Sequence, residues 1–524
     1  MGRAAFGGAL LLALSQGAAC GGKSAVVHDD EPAGGTGHAP AEGGSSGGSR
    51  VGGSTSGGGG GGGGNHSGSG SGSGGAPARG GASGTTQGGT SSGVAGSAGS
   101  TDGNAGAAGA VPEAGAGGAD DSGPASNPGR DIEHTSLNVN LDTSIAIAAI
   151  AVGPSERAGA SFEVGDLTID SVTIQDAPVA FRVQGQTLDV DVPPAKGSTP
   201  LRVVYHFSED TRRGWSGTGY TLTWPYFCGY LFPCHSAPSD GSTFELRVTS
   251  SGNSIVYAPK IPTEVPSYVM AWAQGNYREK VLGTTSAGTN LSVFYLATVA
   301  GAEDDADTGT TRLRDGFEWY EEHLGAYRFG TKVGSVAVEW PSGSYGGMEH
   351  HPLWHIATVS MAEPLTHLHE AAHGWFGDGV RIRCWEDLVL SEGTASYLSV
   401  HVLEALGETE AANAAWTKYE DESSVQTTGP VWLTSCGEID VLDSSVYSEQ
   451  TYARGALFYR ALEERVGTTV LEDALRQFYA AFQGEAARFE DLLGVVHETT
   501  GYDAQKCAAS WLTGTTAPPF AACP

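Results

Sequence analysis

The sequence predicts a multidomain α+β protein preceded by a stretch that does not fold. Three observations carry this expectation: a glycine-rich segment with little to bury, a run of short period-two segments, and a longer run with helical periodicity. With 80 glycines among 524 residues and only 39% hydrophobic residues, the composition is too glycine-rich for one globular body. The excess gathers early in the chain.

Residues 1–20, "MGRAAFGGALLLALSQGAAC", carry an arginine near the start, an apolar run from Ala9 to Leu14 and small residues before Cys20. This is the layout of a secretory signal, and the run is too short for a membrane-spanning helix. Small residues directly before a cysteine resemble the signals of bacterial lipoproteins, in which that cysteine becomes a lipidated N-terminus, although Gly17 stands where those signals usually carry leucine. The expected location is therefore the cell envelope, through a lipid on Cys20, or the extracellular medium. Residues 21–130 include "GGSTSGGGGGGGGNHSGSGSGSGG" and similar stretches. Such a segment cannot offset its conformational entropy and reads as a disordered tether.

Residues 131–305 contain "LTIDSVTI", "QTLDVDVP", "LRVVYHF", "TFELRVT" and "NLSVFYLA", separated by Gly, Pro, Ser and Asp. Alternation with turn residues at short spacing predicts an antiparallel β-sandwich or saddle-like sheet. Residues 306–524 change period. "TRLRDGFEWYEEHLG", "MAEPLTHLHEAAHGWFG", "CWEDLVLSEGTASYLSVHVLEALG", "SEQTYARGALFYRALEERVG" and "VLEDALRQFYAAF" read as helices, interrupted by one strand-like run, "GSVAVEW", at Gly334–Trp340. A mostly helical α+β domain is expected there.

The net charge of −31 argues against a nucleic-acid partner. Of seven cysteines, setting Cys20 aside leaves an even number, which suits disulfides in an oxidising compartment. About 15 pairings are open to six cysteines. Nearest-neighbour pairing joins Cys228 with Cys234, Cys384 with Cys436 and Cys507 with Cys523, and no CxxC spacing supports a zinc cluster instead.

The chemistry concentrates in "HLHEAAHGWFG", His367 to Gly377. On a helix, positions four apart share a face, so His369 and His373 point the same way, while His367 lies about 200° around from His369 and cannot join them. With Glu370 beside the first, they form an HExxH arrangement: two zinc ligands and a general base. Glu392 follows 19 residues beyond His373 (392 − 373 = 19). A third ligand there completes a His2Glu set and leaves one tetrahedral position for water, as catalytic zinc requires.

These residues, inside "HEAAHGWFGDGVRIRCWEDLVLSEGTASYLS", resemble the M1 (gluzincin) aminopeptidases, whose pattern is HExxH, eighteen residues, then Glu. "YGGMEH" resembles that family's GxMEN substrate-binding segment, and "TYARGA" the segment bearing its catalytic tyrosine. "LFPCHSAPSDGSTFELRVT" and the order of elements from about residue 132 to 515 fit the same family. The resemblance implies a thermolysin-like catalytic domain, one zinc per chain, and peptide or protein substrates trimmed from their amino ends. It assigns zinc to His369, His373 and Glu392, proton transfer to Glu370, oxyanion stabilisation to Tyr452, and substrate binding to Gly346, Gly347, Met348 and Glu349, with Glu349 receiving the α-amine. The two glycines would let a peptide backbone lie close to the strand edge. Asp387 would orient the third ligand from behind, or else be a surface or helix-stabilising carboxylate.

Several positions depart from the family pattern. His350 stands where the family has Asn after Met-Glu, and Ser391 where Asn precedes the zinc glutamate. As an imidazolium, His350 would repel an amine held by Glu349. Histidines 350, 351 and 355 are expected to line the pocket or satisfy hydrogen bonds, with a second metal as the rival reading. Only 132 residues follow Glu392 (524 − 392 = 132), so the large helical domain that roofs the family's active site is not expected and the cleft should be open. An open cleft favours an endopeptidase as the rival enzyme. An inactive M1-like binding module is the rival from another class.

Overall fold

The computed structural model describes residues 123–341, 343–437, 439–520 and 523–524. The signal, Cys20 and most of the tether lie outside the described residues. Among those described, no helix is long and apolar enough to cross a membrane.

A β-rich part comes first. Its seven-stranded sheet runs in the order Lys260–Pro266, Gly241–Thr249, Ile132–Asn140, Ile145–Val152, Thr199–His206, Thr168–Ile174, Ala177–Pro178. Ile145–Val152 shows why these segments are strands: in "IAIAAIAV" every second residue, Ala146, Ala148, Ile150 and Val152, is buried. The sheet is not wholly antiparallel, as the sequence suggested. Ile132–Asn140 pairs in parallel with Gly241–Thr249, a pairing that the intervening chain of about a hundred residues permits. A three-stranded sheet (Ala160–Glu163, Thr187–Val190, Phe181–Gln184) and a four-stranded one (Ser254–Tyr257, Trp272–Gly275, Tyr220–Leu222, Gly214–Ser216) complete this part.

The second part contains a sheet that takes in strands from before residue 306. Tyr277–Thr284 and Asn290–Leu296, which period-two patterning assigned to the β domain, hydrogen-bond into a five-stranded sheet with Lys332–Val338, Leu353–Ala357 and Gly347–Met348. Alternation identifies a strand but not the sheet that it joins. Lys332–Val338 is buried at every position after the first, as expected of a central parallel strand covered on both faces. The helices Leu313–His323, Pro364–Ala372, Thr394–Ala405, Glu449–Val466 and Thr468–Phe482 lie where helical periodicity placed them. Ala302–Gly309, Thr409–Ser423, Phe489–Thr500 and Gln505–Leu512 are further helices that the pattern did not single out. The three nearest-neighbour disulfides, Cys228–Cys234, Cys384–Cys436 and Cys507–Cys523, are all formed.

Candidate active site

Helix Pro364–Ala372 opens on a proline, whose missing N–H costs nothing at that position, and its residues from Thr366 onward are all buried. His373 follows directly, its backbone still right-handed helical. The Nε2 atoms of His369 and His373 therefore converge to 3.1 Å. Glu392 arrives on a π-helical turn, Val389–Gly393, where the sequence suggested unbroken α-helix. Such a turn re-aims one side chain, and π-turns gather at functional sites for that reason. Here it brings Glu392 Oε2 to 3.1 Å from His369 Nε2 and 3.5 Å from His373 Nε2.

These three donors suit a tetrahedral cation. Ligands about 2.0–2.1 Å from a common centre lie roughly 3.3 Å apart at tetrahedral angles, close to the spacings observed here. The outer ring nitrogens are engaged. His373 Nδ1–H donates to the Phe376 carbonyl at 3.0 Å with Ser391 Oγ at 3.2 Å, and His369 Nδ1 faces Ser396 Oγ at 3.4 Å. Both Nε2 lone pairs are thus turned to one point, an arrangement that needs positive charge between them. The surroundings ask for the same. Burial opposes charge on His373, but Glu392 and its neighbouring carboxylates outweigh burial and push the imidazole up to about 10. Among the described residues, no lysine or arginine lines the pocket.

Carboxylate oxygens of Glu349 and Glu370 lie within 4.8 Å of each other and of a His373 ring nitrogen. Because His373 has one inward nitrogen, this is the surround of the first cation and not a second site. Burial raises Glu370 well above the usual carboxylate range, and Glu349 up to about 7. Gly347–Met348 forms the edge of the five-stranded sheet, pairing with Ile356 and His355, and the Gly346 carbonyl accepts from Ala357 N at 2.9 Å. A Cβ on Gly347 would lie 2.1 Å from Glu370 Oε1, so this glycine makes room for Glu370 as well as leaving the edge bare. Tyr452, in the first turns of helix Glu449–Val466, lies with its ring centroid 5.9 Å from that of His369. Two glycines hold it there: Gly455 packs so closely on Gly393 that a Cβ on Gly455 would meet Gly393 Cα at 2.5 Å. Eight of the nine residues singled out by sequence therefore line one pocket, and Gly346 adjoins it in the chain next to Gly347.

Of the other expectations, some are corrected and others hold. Asp387 neither sits on the surface nor touches the cation ligands; it is buried, pairs with Arg488 and accepts from Trp432 Nε1 at 3.0 Å. His367 stays apart from the pair, bonded to Ser335 Oγ and the Met361 carbonyl. His351 donates from Nε2 to the Glu370 carbonyl at 2.7 Å and accepts from the Tyr327 hydroxyl at 2.8 Å, which ties the edge-strand turn to the motif helix. His350 cannot repel an amine, because burial drives its pKa well below the imidazole range and leaves it neutral. Histidines 350, 351 and 355 form no metal-binding group among the described residues. Sequence reasoning missed Trp224, Tyr345 and Tyr447, which line the pocket. Tyr345 and Tyr447 adjoin the recognised segments, so proximity could have flagged them; Trp224 comes from the β-rich part and carries no local signal. The pocket spans about 300 Å³, open solvent at its mouth included, and its site side chains are buried.

Two histidines and a glutamate converging on a cation position, with a buried carboxylate beside them, make up the residue set of an HExxH metal site. Residues 313–511 match the peptidase family M1 domain. Aminopeptidase N of Streptomyces lividans is 28% identical over 316 residues, which are 54% of this chain and 36% of that enzyme. Aminopeptidase N of Lactobacillus helveticus is 25% identical over 353 residues, 59% of this chain and 40% of that one. The chain thus spans well under half the length of these curated relatives. The fold matches an M1 zinc metallopeptidase from Deinococcus radiodurans with a TM-score of 0.64 at 21% identity, covering 75% of this chain and 96% of that one. The chain carries a peptidase family M1 domain at residues 313–511 and is similar to aminopeptidase N.

Proposed function

We propose that this protein is a zinc-dependent aminopeptidase holding one zinc ion at His369, His373 and Glu392 and releasing single residues from the free amino ends of peptides. Zinc bound there would lower the pKa of a water molecule and polarise the scissile carbonyl. The chain's own groups do the rest. Glu370, made basic by burial, takes a proton from the attacking water and returns it to the leaving amine. Tyr452 donates a hydrogen bond where negative charge develops on the carbonyl oxygen, a contact strongest in the transition state. The bare strand edge at Gly346–Met348 accepts the substrate backbone as an added strand.

One observation carries the exopeptidase reading: Glu349, a buried carboxylate in a pocket lined by no lysine or arginine among the described residues, lies beside Glu370 and the cation ligands. A substrate's α-ammonium would supply a counter-charge to it, and pairing with it places the first peptide bond at the catalytic groups. The test compares a peptide with its N-acetylated copy, digests being read by mass spectrometry. Losing a charge-assisted contact of roughly 1.5–3 kcal/mol should slow the acetylated copy by about 10- to 100-fold. Internal cuts in it at rates equal to end-trimming would establish an endopeptidase, and no turnover of either peptide by zinc-loaded protein would establish a binding module. We also propose export, with attachment to the cell envelope through Cys20. Residues 1–20 support it, as do three disulfides, which persist in oxidising compartments.

A further inference from the structure

The roles proposed above leave part of the pocket wall unassigned. His369, His373 and Glu392 face the cation, Glu370 and Tyr452 serve the reacting carbonyl, and Gly347 and Glu349 meet the substrate's backbone and amine. What remains of the lining is Trp224, Tyr345, Tyr447 and the side chain of Met348, and these are what a substrate's first side chain can meet. Trp224 is the centre of the group. Its ring lies 5.8 Å from that of Tyr345 and 4.8 Å from that of Tyr447, and Trp385, outside the lining, meets it edge to face at 5.7 Å. Trp385 is itself buried and directly follows Cys384, which the bridge to Cys436 ties to the neighbouring loop. The indole is thus wedged among three rings, and turning it aside would forfeit packing on each.

This wall offers little free surface. Trp224 is 3% exposed, Met348 4% and Tyr345 8%, so the rings fill the space between them with their own atoms. The pocket's volume of about 300 Å³, open solvent included, has to take the cation with its water, the ammonium and the scissile peptide group before any side chain enters. A benzene ring alone fits a cavity of about 150 Å³. We infer that Trp224 is the specificity-determining residue of the first-residue subsite: wedged in from the β-rich part, its indole occupies the floor that a bulky side chain would need and restricts the enzyme to peptides that begin with a small residue such as alanine. The inference rests on the aminopeptidase reading proposed above. The β-rich part then sets which peptides are trimmed, while the motif helices supply the chemistry.

The experiment uses the full chain, zinc content being checked for each protein, and measures release of the first residue from Ala-Ala-Ala, Leu-Ala-Ala and Phe-Ala-Ala, with an N-acetylated copy of the first peptide. In the wild type, kcat/KM for Ala-Ala-Ala should exceed that for Phe-Ala-Ala by about 100-fold, with Leu-Ala-Ala between them. Trp224→Ala should raise Phe-Ala-Ala relative to Ala-Ala-Ala by at least about 10-fold. Trp224→Phe, which keeps a ring against Tyr447 and Trp385, should raise Leu-Ala-Ala by a similar factor and still reject Phe-Ala-Ala. A wild type that cuts the acetylated peptide as fast as the free one defeats the aminopeptidase reading, and the inference with it. If only the free peptide is cut, a wild type that turns over Phe-Ala-Ala as fast as Ala-Ala-Ala overturns the inference alone. So does an unchanged ratio in Trp224→Ala, or a uniform fall for all three peptides, which is the mark of a merely structural residue. Should that protein not fold, the same outcomes for Leu-Ala-Ala in Trp224→Phe decide the matter.

Discussion

Replacing Gly455 by alanine should separate the two elements that bring Tyr452 and Glu392 together. A Cβ at this position would stand 2.5 Å from Gly393 Cα and 3.1 Å from Val389 Cγ2. Ordinary carbon–carbon contact begins at about 3.5 Å, so the elements must part by about 1 Å. The obstructing atom is backbone and cannot swing aside. Gly455 lies three residues after Tyr452 and Gly393 one after Glu392, so the displacement falls on both. Misplacement of about 1 Å costs roughly 100-fold in turnover, and overpacking of this kind costs about 1–3 kcal/mol of stability. The assay is kcat on an aminoacyl reporter, with metal analysis and a urea midpoint. Retained zinc assigns the loss to Tyr452; lost zinc assigns it to Glu392. Gly494→Ala provides the contrast, since that glycine is also inside a helix but nothing lies within 4 Å of its added Cβ. It should gain about 0.5–1 kcal/mol and keep full activity. A Gly455→Ala protein with turnover within threefold of wild type and an unmoved midpoint would refute the reasoning.

Glu370→Gln should keep stoichiometric zinc, because the three donors are untouched, yet lose turnover by several orders of magnitude; loss of zinc along with activity would mean that the residue is a ligand. Cys384→Ser with Cys436→Ser opens a cross-link 52 residues apart in sequence, worth about 4 kcal/mol by chain entropy. It also frees the exposed loop leading to Tyr447 and Tyr452, so the urea midpoint and turnover should fall together, and a lowered midpoint with unchanged kcat would separate this bridge from catalysis. His235 should make the β-rich part sensitive to alkali. Burial works against its charge, but Asp240, 2.6 Å away, and the Ser161 carbonyl, at 2.8 Å, outweigh it and raise its pKa. A raised histidine contributes stability in full below its unfolded value, about 6.5, and loses it as pH rises through the folded value. His235→Gln should flatten the melting temperature against pH above about 6.5, and an identical slope in both proteins would remove His235 as the cause.

Local periodicity was enough to reveal the helices around the site, because a side chain's face follows from its position along its own helix. His369 and His373 needed nothing more, and for the same reason His367 could be excluded. Spacing placed Glu392 after them and the resemblance carried Glu349 and Tyr452 to their segments, since each role sits inside a short run of residues. Nearest-neighbour pairing of cysteines succeeded because short chain separations close cheaply. What sequence left open depends on contacts between distant residues. The strands at Tyr277–Thr284 and Asn290–Leu296 fall within the run read as β domain, and only hydrogen-bond pairing shows which sheet they complete. The π-turn at Val389–Gly393 follows from packing, not from local propensity. His350 looked like a charged neighbour of Glu349 until burial made it neutral. Trp224 was invisible as a site residue, because its side chain reaches the pocket from the β-rich part. The sequence by itself determined which residues could do the chemistry, since that depends on residue type and short-range spacing. The tertiary structure alone decided what surrounds them, because burial and long-range contact, which set charge state and orientation, are properties of no single segment.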